Sequence, residues 1–455
     1  MSKLSAIDAL FLSLESRELP AHIAGLQIFQ LPKGKGAPWL QSLLQEMRER
    51  QPGFPFNQRL VPSMLGTPTL VEDKDFEIDY HVRHNVLPKP GTQAQLAAAV
   101  ARMHSNLLDR DRPLWEFHLI EGLEGRRFAF YIKIHHALCD GATFTKWMSE
   151  STDPKAGSKL KAIWERNSRA STASTPIVDS LQSPISLLRK SAQLSLGLGR
   201  YATQIIKQRL IEGDNRVALP LSGAHTALNA PLTASRNLAF TEFPLDELKA
   251  MGRTVNGTLN DVVLTICDAA LRRYLGEQGQ EPNEPMVAAV PVNLRKKDAV
   301  VDEGNMVSSL QVKLGEPNQS PAERLRMVSE SVKMAKELCQ DIPAAATQVV
   351  GFGSALLGAV GSALRLEGIM PPPLNLVISN VPGPTNTRYF SGAKLLATYP
   401  VSGIAPMTVL NVTVYSYNKV LYVGLVSGRR ALPHLRDLRL CMDEIYQEYK
   451  AALLP

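Results

Sequence analysis

Apolar and polar residues alternate along two stretches in the first third of the chain. Residues 76–86 and 114–136 both show this strand-like period, and the second contains a turn-like stretch at 121–127. Between them, 93–108 carries apolar residues at helical spacing and is closed by Pro113. We therefore expect a strand, a helix and then a β-hairpin that ends at two adjacent histidines.

The second half of the chain repeats this mixture of helix and strand patterns. Helical spacing covers 260–274, two apolar strands are predicted at 286–294 and 306–314, and a late pair of strands at 415–427. The chain of 455 residues is longer than a single hydrophobic core usually serves. Two lobes are therefore expected. Because both halves of the chain mix helices and strands, the expected fold class is α/β.

A change of composition separates the two lobes. Residues 168–175 are rich in Ser, Thr and Ala, which is typical of a linker. We place the first lobe at 1–165, a helical linker at 166–225 and the second lobe at 226–455. Within the linker, 185–211 has the pattern of a basic amphipathic helix, which either lies on an anionic membrane or packs across the lobes.

One uncharged stretch, 342–364, is long enough to span a bilayer. Its residues are mostly small, and four of them are glycines that weaken a lone helix: Gly351, Gly353, Gly358 and Gly361. We do not expect it to span a membrane. We expect small-residue helices that leave open space beside them.

Charge and cysteine content narrow the classes of function. Lys and Arg number 50 against 43 Asp and Glu, and nearly all of the surplus lies within 151–225. Because this charge is not interleaved with aromatic residues, nucleic-acid binding is not expected. The four cysteines lie far apart with no metal-ligand spacing, and the first ten residues lack an apolar signal segment. We therefore expect a cytoplasmic protein with no metal site.

The segment His135-His136-Ala137-Leu138-Cys139-Asp140-Gly141 follows an apolar strand. A histidine there can take the proton of an attacking alcohol, and strand alternation puts His135 and His136 on opposite faces. Asp140 can pair with an arginine, for which Arg295 is our candidate, and Gly141 can allow an unusual backbone or a close substrate. The alternatives are a metal site and a set of core residues that satisfy each other.

The seven residues resemble the HHxxxDG signature of acyl-CoA-dependent acyltransferases and peptide-synthetase condensation domains. Other short segments stand in the order found in the bacterial wax ester synthase/diacylglycerol acyltransferase family, which the chain resembles over nearly its whole length. These segments are Leu4–Leu12, Pro113-Leu114-Trp115, Asn260-Asp261, Pro291–Arg295, Gly304-Asn305 and Ser379–Pro384.

This resemblance implies two chloramphenicol-acetyltransferase-like lobes, each a mixed sheet flanked by helices, with a tunnel between them. Acyl-CoA is then a substrate, no cofactor is needed, and the alcohol attacks directly with His136 as base and His135 and Asp140 beside it. The absence of a GxSxG motif agrees with such a direct attack. The implied substrate-binding residues are Pro113, Leu114, Trp115, Gly141, Asn260, Asp261, Ser379, Asn380 and Gly383.

Several of these residues have a second interpretation. The oxyanion donors can be Asn260, Asn380 or backbone amides near Gly141 and Gly383. Asn260 can equally cap a helix, Ser379–Pro384 can be a simple chain reversal, and Trp115 can belong to the core.

The expected products are wax esters from long-chain alcohols, triacylglycerols from diacylglycerol, or both. We expect the protein at the surface of the inner membrane or of lipid inclusions. One alternative is a condensation-type acyltransferase with a carrier-bound donor. Another is a non-catalytic lipid-droplet protein, against which the intact His136 and Asp140 argue.

Overall fold

The fold contains two mixed β-sheets covered by helices. It is seen in a computed structural model that describes residues 2–62, 67–166, 199–211, 213–219, 221–293, 307–340, 353, 356–366 and 369–455. Within these ranges each of the two large sheets has six strands, and a small third sheet has three. The expected α/β architecture of two lobes is confirmed.

The helices and strands alternate along the chain in both halves. Those of the first half are β1 Ser2–Lys3, α1 Ala6–Leu14, β2 His22–Gln30, α2 Ala37–Arg48, β3 Gln58–Val61, β4 Thr69–Glu72, α3 Ile78–His81, β5 Val82–Val86, α4 Gln93–Ser105, β6 Trp115–Leu123, β7 Arg127–His135 and α5 Gly141–Glu150. Those of the second half are β8 Arg236–Pro244, α6 Leu245–Arg253, α7 Leu259–Gly276, β9 Val287–Asn293, β10 Val307–Lys313, α8 Pro321–Gln340, β11 Leu376–Pro382, β12 Tyr389–Phe390, β13 Ala393–Val401, β14 Leu410–Tyr417, β15 Val420–Gly428 and α9 Leu435–Leu453.

The first large sheet has the strand order β12-β13-β2-β7-β6-β5. The predicted hairpin is present as β6 and β7, and the predicted helix before it as α4. The stretch 76–86 differs from prediction, since its first part forms the short helix α3 and only β5 is extended. The ring of His81 stacks on Phe76 and on Trp115, and its Nδ1 lies 2.8 Å from the Trp115 carbonyl oxygen. These tertiary contacts override the local alternation.

The second large sheet has the order β10-β9-β11-β14-β15-β8. Its strand β11 runs parallel to both neighbours, β9 and β14, whereas the remaining pairs are antiparallel. The predicted strands at 286–294 and 306–314 are β9 and β10, and the late pair is β14 and β15. The helix predicted at 260–274 is α7, which is buried along almost its whole length.

The late strands β12 and β13 belong to the first sheet, although they lie within 226–455. Strand β13 pairs antiparallel with β2 from Lys394 opposite Gln30 to Val401 opposite Ala24. A boundary near residue 225 therefore does not divide the chain into one segment for each sheet. Which strand joins an open edge depends on packing over the whole molecule, which the local pattern does not encode.

The two sheets approach closely where β13 crosses β15. A Cβ atom added at Gly424 in β15 would lie 1.8 Å from the carbonyl oxygen of Pro400 in β13. Backbone atoms cannot move aside as the end of a flexible side chain can. Gly424 therefore allows one of the close contacts between the lobes.

The predicted linker at 168–175 and most of the amphipathic stretch 185–211 lie outside the described residues. The described end of the amphipathic stretch is helical at 199–206 and leads into a π-helical turn at Lys207–Ile211. Ile205 is buried against Val217 and Leu338, whereas Ile206 is half exposed. This end of the stretch therefore packs on the second lobe.

The first part of the uncharged stretch, 342–352, also lies outside the described residues. Its described end is helical at 356–363, and two glycines there allow close packing. An added Cβ would lie 2.8 Å from the Pro406 oxygen at Gly358 and 2.5 Å from the Met407 sulfur at Gly361. Among the described helices, none combines the length and the apolar character needed to cross a membrane.

Candidate active site

The backbone of the two histidines is held from both sides at the end of β7. The His136 amide donates to the Ala21 carbonyl at 2.8 Å, and the His135 amide donates to the Leu114 carbonyl at 3.0 Å. Ala21 lies just before β2, and Leu114 lies just before β6. The histidine pair is thus fixed by both strands that flank β7.

The His136 ring lies in the wall of a cavity of about 820 Å³. It stacks on the ring of Phe11, with centroids 4.1 Å apart and planes 16° apart, and its Nδ1 is buried. Burial lowers the pKa of His136 to about 4, although the nearby Asp140 carboxylate opposes this shift. The ring is therefore neutral at neutral pH and able to accept a proton.

His135 is fully buried and does not line the cavity. Its Nδ1 accepts a hydrogen bond from the Ala137 amide at 3.0 Å, so the ring N–H is on Nε2. That Nε2 lies 3.4 Å from Oε1 of Glu15. The two histidines thus occupy different surroundings, as strand alternation predicts.

Asp140 is the N-cap of α5. Its Oδ1 accepts a hydrogen bond from the Thr143 amide at 2.8 Å, and the residue is only 2% exposed. The carboxylate therefore fixes the start of the helix that follows the histidines. The predicted partner, Arg295, lies outside the described residues.

Gly141, the first residue of α5, has no left-handed backbone conformation, and a Cβ added there would meet no atom within 4 Å. The expectation of an unusual backbone is therefore wrong. Gly141 does line the cavity, so the expectation that it leaves room for a substrate stays a proposal.

Both lobes contribute to the cavity wall. From the first lobe come α1, the residues that lead into β2, and the first turns of α5. From the second lobe and its loops come residues that include Pro291, Ser309, Leu356, Ser379, Asn380, Ile404, Asn411 and Thr413. Because most lining side chains are apolar and a few polar groups stand among them, the cavity suits a long apolar ligand with one polar end.

Ser379, Asn380 and Gly383 all lie at this wall, on β11 and just after it. The Gly383 amide donates to Oγ of Ser416 at 3.2 Å, so it already has a partner. A Cβ added at Gly383 would lie 2.3 Å from Cζ of Tyr415. Gly383 therefore serves close packing, and Asn380 remains the side-chain candidate for an oxyanion donor.

The structure does not bring Pro113, Leu114 and Trp115 to the cavity lining. Trp115 is fully buried, and its Nε1 donates to the Phe56 carbonyl at 2.8 Å. The segment is instead part of the core beneath the site, where the Leu114 carbonyl receives the His135 amide. A large aromatic side chain at a strand start is more often core than site.

Asn260 and Asp261 also lie away from the cavity lining. The N-cap of α7 is Thr258 rather than Asn260, and Asp261 completes a capping box with it through its Oδ2, 2.7 Å from the Thr258 amide. Oδ2 of Asp261 also accepts from Ser329 at 3.0 Å. The pair Asn260-Asp261 therefore begins a buried helix.

Two residues of the site were not predicted from the sequence. Phe11 stacks on His136, and the buried Glu15 faces His135. Phe11 lies within the segment Leu4–Leu12, which carries the family resemblance, but Glu15 follows that segment as a single acidic residue with no pattern around it. Among the described residues, no group of three or more His, Cys, Asp and Glu side chains is placed to hold a metal ion.

Comparison with known proteins gives the same family throughout the chain. Residues 4–263 match the wax ester synthase/diacylglycerol acyltransferase catalytic domain, and 303–450 match the C-terminal domain of the same family. The chain is 35% identical to a probable diacylglycerol O-acyltransferase, tgs2, of Mycobacterium tuberculosis over 98% of both chains. It is 33% identical to the O-acyltransferase WSD of Acinetobacter baylyi over 100% of this chain and 98% of that one.

Solved structures show the same relationship. A wax ester synthase/diacylglycerol acyltransferase from Marinobacter aquaeolei superposes over 100% of both chains with a TM-score of 0.77 and 32% identity. The first condensation domain of the calcium-dependent antibiotic synthetase shares the fold at 16% identity and a TM-score of 0.62, over 99% of this chain and 96% of that one. The chain therefore belongs to the wax ester synthase/diacylglycerol acyltransferase family.

Proposed function

We propose that this protein transfers a long-chain fatty acyl group from acyl-CoA to the hydroxyl of a fatty alcohol, of diacylglycerol, or of both. The products are wax esters and triacylglycerols. The observation that carries the proposal is the position of His136, a neutral base in the wall of a large apolar cavity between two lobes. An apolar cavity holds the acyl chain, and a base at its wall is what an alcohol needs in order to attack.

The reaction proceeds in a ternary complex. Nε2 of His136 takes the hydroxyl proton while the alcohol oxygen attacks the thioester carbonyl carbon. The tetrahedral intermediate then collapses, the carbon–sulfur bond breaks, and the proton on His136 passes to the departing thiolate of coenzyme A. We propose the Asn380 amide as a donor to the oxyanion, since it is a neutral donor in the part of the cavity wall that the second lobe forms.

A covalent acyl-enzyme on Cys139 is not part of this mechanism. Cys139 is buried, and burial raises the pKa of its thiol well above the ordinary value. The thiol thus stays protonated at neutral pH and is a poor nucleophile. Direct attack by the alcohol requires no such intermediate.

The low pKa of His136 predicts an acid limb in the pH profile of the free enzyme. The base works only when it is neutral, so kcat/KM should be flat at neutral pH and fall about tenfold per pH unit below the His136 pKa of about 4. The measurement is kcat/KM for palmitoyl-CoA against pH, with circular dichroism at each point to detect unfolding. A decrease centred near the ordinary histidine pKa of about 6.5 would contradict the lowering of the His136 pKa by burial.

The acyl donor distinguishes the proposed acyl-CoA-dependent enzyme from a condensation-type enzyme. With an acceptor alcohol present, palmitoyl-CoA as the only acyl donor should support turnover, whereas a condensation-type enzyme needs an acyl group carried by a protein domain. The likeness to condensation domains is a likeness of fold, at 16% identity or below. A non-catalytic lipid binder would release no coenzyme A from palmitoyl-CoA.

We also propose that the protein works at a lipid surface, such as the inner membrane or a lipid inclusion. Five exposed apolar side chains lie on the helical residues 356–363 or shortly after them, and we take them as one apolar face: Leu356, Leu357, Val360, Leu364 and Ile369. Leu356 also lines the cavity, so this apolar face continues into it. The exposed Arg365 beside the face suits anionic headgroups, and an exposed apolar face of this kind favours insertion into the acyl boundary.

Vesicle flotation tests this surface. The double variant Leu364→Glu/Ile369→Glu should reduce binding to phosphatidylglycerol vesicles by at least about tenfold, because two acidic groups would have to enter the lipid. Val86→Glu is the matched control, since Val86 is 64% exposed but lies on β5, away from the cavity. Equal flotation of the double variant and the control would exclude this face.

A further inference from the structure

A single buried carboxylate, Glu15, connects the elements around the histidine pair. Its side chain is 2% exposed and lies just after α1. Its Oε1 accepts from the Ala21 amide at 3.1 Å and lies 3.4 Å from Nε2 of His135. Its Oε2 accepts from Arg110 at 3.2 Å and 2.9 Å.

Through these contacts Glu15 is connected to both His135 and His136. Because Nδ1 of His135 accepts from the Ala137 amide, the ring N–H is on Nε2, and this nitrogen faces Oε1 of Glu15. Ala21 extends the connection to His136. Its amide donates to Glu15, and its carbonyl accepts the His136 amide at 2.8 Å.

Arg110 connects the same carboxylate to α1. Besides its two bonds to Glu15, Arg110 donates to the carbonyl of Leu12 at 2.6 Å. Helix α1 carries Phe11, whose ring stacks on His136, and Leu10 and Leu14, which line the cavity. Arg110 thus connects helix α1, which covers His136, to the carboxylate of Glu15, which faces His135.

The charge of this group is well defined. Burial alone would favour the neutral acid, but the nearby His135 ring, the Ala21 amide and Arg110 outweigh it and lower the pKa of Glu15 to about 2. Glu15 is therefore ionised at neutral pH, balanced by Arg110. A neutral amide at this position has the same shape but can no longer accept from all of these donors.

We propose that Glu15 is a positioning residue for acyl transfer, which acts through His135 and Ala21 to hold the ring of His136 in place against Phe11. It touches no substrate in this role. The inference rests on the proposed role of His136 as base. It assigns a function to a residue that no sequence motif singled out.

A double-mutant cycle in the full chain tests it. The variants are Glu15→Gln, His135→Gln and both together, assayed with palmitoyl-CoA and hexadecanol. Glu15→Gln should lower kcat by about 10²-fold, because a displacement of about 1 Å at a reacting group has an effect of that size. Since the interaction supports the transition state, kcat and kcat/KM should fall together.

Coupling in kcat separates positioning from a general loss of stability. If Glu15 acts through the histidine pair, the double variant loses little more activity than the more affected single variant. Losses that multiply, or an unchanged kcat in Glu15→Gln, would overturn the inference. Glu77→Gln is the matched control, because Glu77 forms an exposed ion pair with Arg112 at 2.8 Å and should leave kcat unchanged.

Two further variants cover a Glu15→Gln protein that does not fold and a failure of the proposed role of His136. If Glu15→Gln does not fold, Arg110→Lys can replace it, because the Arg110 side chain is half exposed and a change there is better tolerated. Arg110→Lys should also lower kcat, by a smaller factor than Glu15→Gln. His136→Ala is measured in parallel. If His136→Ala is active, the proposal that His136 is the base is contradicted. If His136→Ala is inactive and Glu15→Gln is fully active, only the proposed role of Glu15 is contradicted.

Discussion

Replacing His136 by alanine lowers kcat by about 10²- to 10⁴-fold, the contribution that a positioned general base typically makes. The ring is a neutral histidine in the cavity wall, and the variant loses the group that is proposed to accept the alcohol proton. The backbone should stay in place, because the hydrogen bond from this amide to Ala21 does not depend on the side chain. The measurement is the rate of coenzyme A release from palmitoyl-CoA with hexadecanol.

His84→Ala serves as the matched control for this variant. His84 is on β5, is partly exposed and pairs with Glu121 at 3.4 Å, so it lies outside the cavity lining. It should keep its activity within about twofold, since surface substitutions rarely have large effects. A His136→Ala protein that folds normally and keeps its full rate would show that another group accepts the proton.

Replacing Gly424 by alanine lowers the free energy of unfolding by about 3 kcal/mol, the upper end of the usual range for overpacking. The added Cβ would lie 1.8 Å from the Pro400 carbonyl oxygen, so β13 and β15 would have to separate. Because the cavity lies between the lobes that these strands join, activity should fall as well. Urea unfolding followed by fluorescence gives the loss of stability.

Gly141→Ala is the control for the glycine substitution itself. A Cβ at Gly141 meets no protein atom within 4 Å, and alanine suits a helix better than glycine does. The free energy of unfolding should therefore stay the same or rise slightly. Equal stabilities of the two variants would contradict the close contact between the sheets.

The elements that the sequence predicted correctly are those in which the local pattern and the tertiary environment agree. Strands β6 and β7 form one buried hairpin, and α7 combines helical spacing with an N-terminal capping box. In 76–86 the alternation was misleading, because stacking of His81 on Trp115 favours a helical turn before β5. The transfer of β13 to the first sheet depends on long-range pairing with β2 and leaves no local signal.

The site was only partly predictable for the same reason. His135, His136 and Asp140 are adjacent in sequence, so their motif identified them together. Trp115 and Asp261 stood in short segments that resemble the family, yet the structure uses them in the core and in a helix cap. Glu15 meets Arg110 and His135 from positions far apart in the chain, which no spacing rule can detect.

The most direct test of the central claim is the balance of products formed from palmitoyl-CoA by the purified protein. With hexadecanol or diacylglycerol present, we predict that each molecule of coenzyme A released is matched by one molecule of ester. Without an acceptor, almost no coenzyme A should appear. Release of coenzyme A and free palmitate regardless of acceptor, or no release with either alcohol, would contradict the assignment as an O-acyltransferase.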